Sequence, residues 1–181
     1  DRGLKVGGIG FSAMIEHPRA LSQLHDIAEH GPRLIGMMLG GEDFALETGS
    51  IPNDESLELP KRMVAFAAQA FDVPMIGILG TVADYSDPDA YRKSAERARR
   101  FGFSGGTCIH PGLVGALNEA FTPKAEEVAY AQKLIQADAK AASEGRGSFQ
   151  VDGKMIDIPV IERARKLIAR ADAIQSRVQR K

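Results

Sequence analysis

Apolar runs alternate with amphipathic stretches along this chain, which predicts a succession of strand-then-helix units. Val6 to Ile15 reads as a glycine-interrupted buried strand. His17 is placed to cap a helix with Pro18 at its first position, an apolar face of Leu21, Leu24 and Ile27, and an end at Gly31-Pro32. Leu34 to Leu39 is short and dense enough for a strand buried on both faces, and an acidic loop follows it to Gly49. Ser50 to Leu59 reads as polar and irregular, and Pro60 as the start of a helix with Met63, Ala67, Ala70 and Phe71 inward. Met75 to Leu79 predicts a third strand, and Asp87-Pro88 starts a charged helix that closes at Gly102. Ser104 to Ile109 is a weaker fourth strand, with a short helix over Leu113 to Ala120.

The remainder changes character. Thr122-Pro123 starts a long helix with Val128, Ala131, Ile135 and Ala139 along one side, broken at Gly145-Arg146-Gly147. Phe149 to Met155 reads as a hairpin turning at Asp152-Gly153. Pro159 and Val160 begin a terminal helix with Ile161, Ala164, Leu167 and Ile168 inward, and Arg177 to Lys181 is a solvated basic tail. The domain reading is therefore 1–120 for the βα units and 121–181 for a helical extension that carries the hairpin. Repeated βα units imply an α/β fold with a parallel sheet.

Chemistry gathers where strands end. Glu16 closes the first apolar run, and Glu42 and Asp43 follow Gly40-Gly41 directly after the second. Carboxyl ends of parallel strands are where α/β barrels and open sheets keep their active sites. If the two strands are neighbours, Glu16 and Asp43 meet at one rim and offer hard oxygen ligands suited to Mg²⁺ or Mn²⁺. The competing reading is that each acid caps the helix behind it. His110, at the end of the fourth strand, reads as a base, a ligand or a packing residue, and Asp157 as the cap of the terminal helix. His17, His25 and His30 read as helix-end or surface residues.

Composition narrows the partners. At 181 residues the apolar content suffices for a core, and a net charge of −1 with interspersed signs gives no nucleic-acid surface. The single cysteine, Cys108, excludes an internal disulfide framework and fits a reducing, cytoplasmic setting. No membrane-spanning run and no signal peptide is visible. The opening Asp1-Arg2-Gly3 is not a natural start, so a longer protein is expected.

The segments MIEHPRAL, LGGEDFALETG, GFSGGTCIHPGLVGALNEAFTPKAEEVAYAQKL and GKMIDIPVIERARKLI together resemble the citrate lyase β-subunit-like family. That family holds the citryl-CoA, malyl-CoA and citramalyl-CoA lyases of the HpcH/HpaI aldolase superfamily. The resemblance implies a (β/α)₈ TIM barrel, of which this chain supplies the later βα units and the C-terminal extension. It implies Mg²⁺, or Mn²⁺, on Glu16 and Asp43. It implies acyl-CoA and oxoacid as substrates, with Gly41, Glu42, His110 and Pro111 in binding roles. By the same resemblance Asp157 is a catalytic acid carried by a lid into a neighbouring subunit, in a homo-oligomer built as a trimer or dimer of trimers.

Glu47 stands where relatives usually have Asp and reads as structural; Arg62 reads as a helix-surface or supporting residue. Two departures remove charge near the expected cleft: Gly106 replaces the lysine of the family pattern GKWAIHP, and Gly77 replaces the aspartate of IDG. The expected activity is carbon–carbon cleavage or formation of a 3-hydroxyacyl-CoA. The alternatives are a class II pyruvate-type aldolase without CoA, a malyl-CoA thioesterase, and a non-catalytic subunit of the same fold. A rival to the partial barrel is a complete small open sheet.

Overall fold

The computed structural model describes residues 3, 5–30, 32–83, 86–145 and 148–179, in two units, Asp1–Phe121 and Thr122–Lys181. In the first unit β1 (Phe11–Ile15) pairs in parallel with β2 (Leu34–Leu39), with Ser12 opposite Gly36 and Ile15 opposite Leu39. Single parallel bridges extend the order, Met37 to Met75 and Ile76 to Gly105. Four parallel segments thus lie side by side in chain order, with helices between them, and the fold is α/β.

The strands are shorter than the apolar runs. Val6 to Gly10 stays outside β1, and the third and fourth segments keep only the bridges at Met75, Ile76 and Gly105. Gly7, at φ 80°, turns the chain before it can extend. Nor is β2 buried on both faces: Ile35 is 57% exposed. β1 is an edge of this sheet and also leaves Phe11 and Met14 half-exposed.

The helices carry the larger corrections. The single helix expected after His17 is two, α1 (Pro18–Leu21) and α2 (Leu24–Glu29). His17 does cap the first, its Nδ1 accepting from Arg19 N–H at 3.0 Å. Gly31 lies outside the described residues, as do Asp84 and Tyr85 of the loop before Asp87. The expected acidic loop is instead a helix, α3 (Gly41–Thr48), closed by Gly49 in the left-handed region at φ 67°. A glycine N-cap without a side-chain hydrogen bond is a weak start signal, so the acids alone read as loop.

Pro60 does not open its helix. α4 (Asp54–Ala70) begins earlier at a capping box, Asn53 Oδ1 accepting from Ser56 N–H at 3.0 Å and Ser56 Oγ from Asn53 N–H at 3.3 Å. Its inward face is Leu57, Pro60, Lys61, Val64, Ala65 and Ala68, not the Met63 face expected. A lysine on the core side and the exposed Leu59 and Phe66 on the other hide the true period. α5 (Pro88–Arg100) starts as expected, Asp87 Oδ1 accepting from the N–H groups of Asp89 and Ala90 at 3.0 Å each. A short 3₁₀ turn (Pro111–Leu113) leads into α6 (Val114–Phe121). The core joins Met37, Val64, Met75, Ile78, Ala95 and Phe103. Each large side chain buried there contributes about 1.5–3 kcal/mol relative to exposure.

The second unit pairs α7 (Ala125–Ser143) with α8 (Ile158–Val178) around the hairpin β3 (Phe149–Val151) and β4 (Lys154–Ile156). α7 begins at Ala125, after Lys124, rather than at Thr122-Pro123. Ala131, Leu134, Val151, Ile156, Ile161 and Ala164 form its core, while Ala139, expected inward, is exposed. Asp152 and Gly153, at φ 51° and 74°, make the two-residue turn read from the sequence. The expected break keeps Gly145 at φ 71°, while Arg146 and Gly147 lie outside the described residues, as do Arg180 and Lys181 of the basic tail. No described helix is long and apolar enough to cross a membrane.

Candidate active site

Glu16 directly follows β1, and Asp43 sits in the first turn of α3 directly behind β2. The parallel register sets Ile15 opposite Leu39, and Gly40 N–H donates to the Ile15 carbonyl at 2.9 Å, so both strand ends finish at the same level. Both acids line one cleft of about 310 Å³. Met75, Ile78 and Phe103 form its apolar floor, and Gly40, Gly41, Glu42, Lys61 and Thr107–Ile109 also border it.

The capping alternative for the two acids is not realised. His17, not Glu16, is the N-cap of α1, and Gly40, not an acid, is that of α3. Gly40 makes room for Glu16: a Cβ there would stand 2.6 Å from Glu16 Cγ and 2.9 Å from its Oε1. The first helical bond of α3 is Phe44 N–H to the Gly40 carbonyl, which leaves the amides of residues 41–43 without helical acceptors. A helix N-terminus of this kind favours an anion.

Sequence reasoning missed two residues at this rim. Lys61 is 5% exposed, and its Nζ donates to the Gly80 carbonyl. Burial pushes its ammonium down to about 8, against the opposing pull of Asp54 and Glu42. Thr81 Oγ1 donates to Glu42 Oε1 at 2.7 Å. The signal for Lys61 was present, since Leu57, Lys61, Val64 and Ala68 share one helical face. Behind Thr107, which borders the cleft, the buried Tyr91 donates its hydroxyl to the Thr107 carbonyl, and burial, with Cys108 nearby, pushes the phenol up to about 12.

His110 is the N-cap of the 3₁₀ turn, its Nδ1 accepting from Gly112 N–H at 3.1 Å, with Pro111 at the first position. The cleft lining reaches Ile109, and neither His110 nor Pro111 belongs to it. Glu47 pairs with His17 at 3.3 Å, and Arg62 pairs with Glu58 and lies over Phe101 at 4.5 Å. In the second unit Asp157 is the N-cap of α8, its Oδ1 accepting from Val160 N–H at 3.4 Å. The two departures also have local causes. A Cβ at Gly106 would stand 2.7 Å from Leu117 Cδ2, so that space is filled, and Gly77 holds φ 148°, a conformation that suits glycine.

The sequence profile described as HpcH/HpaI aldolase/citrate lyase matches residues 1–111. The chain belongs to this family. Among its relatives is the citrate lyase subunit beta of Escherichia coli, 32% identical over 177 residues, spanning 94% of this chain and 56% of that protein. A (3S)-malyl-CoA thioesterase of Cereibacter sphaeroides is 34% identical over 164 residues, 90% of this chain and 56% of that protein. Mycobacterium tuberculosis CitE, solved with magnesium, acetoacetate and coenzyme A, superposes with a TM-score of 0.76 at 27% identity. That match covers 90% of this chain and 61% of CitE. The chain thus spans a little over half the length of these family members. Its α/β fold is that of the family's solved structures.

Proposed function

We propose that this chain carries the metal-binding rim of a Mg²⁺-dependent carbon–carbon lyase acting on a 3-hydroxyacyl-CoA. One observation carries the reading: Glu16 and Asp43 leave two adjacent parallel strands at the same level and line one cleft beside the N-terminus of α3. Two hard oxygen donors suit Mg²⁺, or Mn²⁺, which keep waters and take further ligands from substrate. Among the described residues no group of three or more acids, histidines or cysteines is placed to hold a metal ion, and Glu16 and Asp43 are the pair this chain offers. When bound, the ion supplies Lewis-acid stabilisation of a developing oxyanion.

The chain's own groups divide the remaining work. The amides of residues 41–43 receive the carboxylate of the oxoacid portion. The apolar floor of Met75, Ile78 and Phe103 keeps water from the breaking bond. In the cleavage direction the hydroxyl proton passes to solvent, the oxygen closes to the carbonyl of the oxoacid, the carbon–carbon bond breaks, and its electron pair moves to the acyl-CoA α-carbon. Asp157 in its protonated form, delivered from a lid, gives its proton to that carbon and is reprotonated from solvent. Its capping bond to Val160 is a long one, which leaves the carboxylate free for a second role. His110 and Pro111 shape the entrance for the acyl-CoA portion. The four parallel segments form the later part of a (β/α)₈ barrel, and the protein works as a homo-oligomer in the cytoplasm, a trimer or dimer of trimers. In support of the barrel, β1 pairs only with β2 among the described residues and leaves Phe11 and Met14 exposed.

A second reading is thioester hydrolysis in the same cleft, favoured by the likeness to the malyl-CoA thioesterase. One assay separates the two. The intact protein is offered malyl-, citramalyl- and citryl-CoA with and without Mg²⁺, and oxoacid and free CoA thiol are both quantified. Lyase activity releases oxoacid in step with the shortened acyl-CoA and needs Mg²⁺. Free thiol without oxoacid makes the protein a hydrolase, and neither product from any ester removes the proposal.

A further inference from the structure

Among the described residues of the first unit, Lys61 is the buried charged side chain that the chemistry above leaves unused. An ammonium withdrawn from water is costly unless it is hydrogen-bonded or paired. Its Nζ donates to the Gly80 carbonyl, in the turn that follows the third parallel segment. Gly80 is itself closely packed, since a Cβ there would stand 2.7 Å from Ser94 Oγ of α5. The next residue, Thr81, donates to Glu42 Oε1 at 2.7 Å, and its Oγ1 accepts from Ala83 N–H at 3.1 Å. Glu42 precedes Asp43 in the first turn of α3. A continuous path therefore runs from α4 through the Gly80-Thr81 turn to the helix turn that bears Asp43.

We propose that Lys61 is a positioning residue, which fixes the first turn of α3, and with it Asp43, through Gly80, Thr81 and Glu42. This rests on Asp43 and Glu16 being divalent-ion ligands. Groups that orient a ligand from behind are commonly worth about 10–100-fold in metal affinity. Glu42 is too close to Asp43 along the helix to move independently of it. Its tether to Thr81 therefore sets where the Asp43 carboxylate starts and how far it wanders. A lysine of α4 that merely filled space would show no coupling to Thr81 in a double variant.

The test measures Mn²⁺ affinity, by the paramagnetic resonance signal of the free ion, in the intact protein. The variants are Lys61→Met, Thr81→Val, their combination, and Glu16→Gln as the site control. Methionine matches the length of lysine and suits an apolar setting, so the fold is kept. Each single variant should weaken Mn²⁺ binding by about tenfold. The double variant should be no more than about twofold worse than either, because both break one path. Amide hydrogen exchange at residues 41–43 of the metal-free protein should quicken in both single variants.

Unchanged Mn²⁺ affinity in a folded Lys61→Met protein overturns the inference, and so do single effects that multiply in the double variant. Should Lys61→Met fail to fold, Thr81→Val decides alone: unchanged affinity there breaks the path. The control keeps the two claims apart. If Glu16→Gln binds Mn²⁺ as the parent does, the metal site itself falls, and the role of Lys61 with it. If Glu16→Gln loses the ion while Lys61→Met keeps it, only the positioning role falls.

Discussion

Replacing Gly40 by alanine adds one methyl group at the proposed metal rim and nothing else. Its Cβ would lie 2.6 Å from Glu16 Cγ, so Glu16 must retreat by about 0.8 Å to reach the ordinary contact distance of 3.4 Å. The backbone accepts the change, because φ −79° and ψ 91° are open to alanine. Losing glycine at the N-cap costs up to about 1 kcal/mol, and the stiffer unfolded chain returns about 0.4–1 kcal/mol. The melting temperature therefore stays within a few degrees of the parent. The metal site does not escape, since workable ligand distances hold to about 0.2 Å. Bringing the carboxylate back requires Glu16 to twist away from its preferred rotamer. One strained torsion costs about 0.5–1.5 kcal/mol, and two cost about 1–3 kcal/mol. That corresponds to about a 5- to 150-fold loss of divalent-ion affinity. Calorimetric titration of Mn²⁺ alongside a thermal melt measures both quantities on one preparation. A folded Gly40→Ala protein with parental Mn²⁺ affinity would refute the placement of Glu16 as a ligand beside Gly40.

Glu16→Gln and Asp43→Asn should each abolish Mg²⁺ binding while circular dichroism stays unchanged; calorimetry showing parental affinity in both would remove the site. Asp157→Asn should lower kcat far more than KM, because proton transfer is lost while binding remains. If the lid serves a neighbour, mixed oligomers of inactive Glu16→Gln and inactive Asp157→Asn chains regain part of the activity, and no recovery in verified mixtures would assign the lid to its own subunit. Lys61 also predicts a pH signature. Its folded value of about 8 lies below the ordinary 10.5, so between these values the unfolded chain binds more protons and stability rises with pH. Equivalently, that stability is present above 10.5 and is lost as pH falls through about 8. Denaturant melts should show this rise, on the order of 3 kcal/mol, in the parent relative to Lys61→Met, and parallel profiles would contradict it.

Local signals made much of the fold legible. His17-Pro18, Asp87-Pro88 and Asp152-Gly153 each fix a helix start or a turn within a few residues, and each is found in place. α3 was not legible because a glycine cap carries no side-chain signal. Pro60 imitates a helix start in the middle of α4, and Lys61, turning inward, hides which face of that helix is buried. The meeting of Glu16 and Asp43 at one cleft followed from assuming adjacent parallel strands, and β1 and β2 are adjacent. Lys61 and Thr81 act over 19 and 39 residues of sequence, reaching Gly80 and Glu42, and no local pattern encodes such pairings. The family assignment came from motifs in order, and the chemistry it implies rests on residues that the pattern of strands and helices alone would leave as surface acids.

The most direct test of the account is crystallographic. Crystals of the intact protein grown with Mn²⁺ and an oxoacid locate the ion by its anomalous signal. The account predicts one ion touching a Glu16 oxygen and an Asp43 oxygen, at close to the roughly 2.0–2.1 Å found for Mg²⁺, with the oxoacid carboxylate against the amides of residues 41–43. An ion bound elsewhere, or both carboxylates free of metal at saturating Mn²⁺, would contradict it.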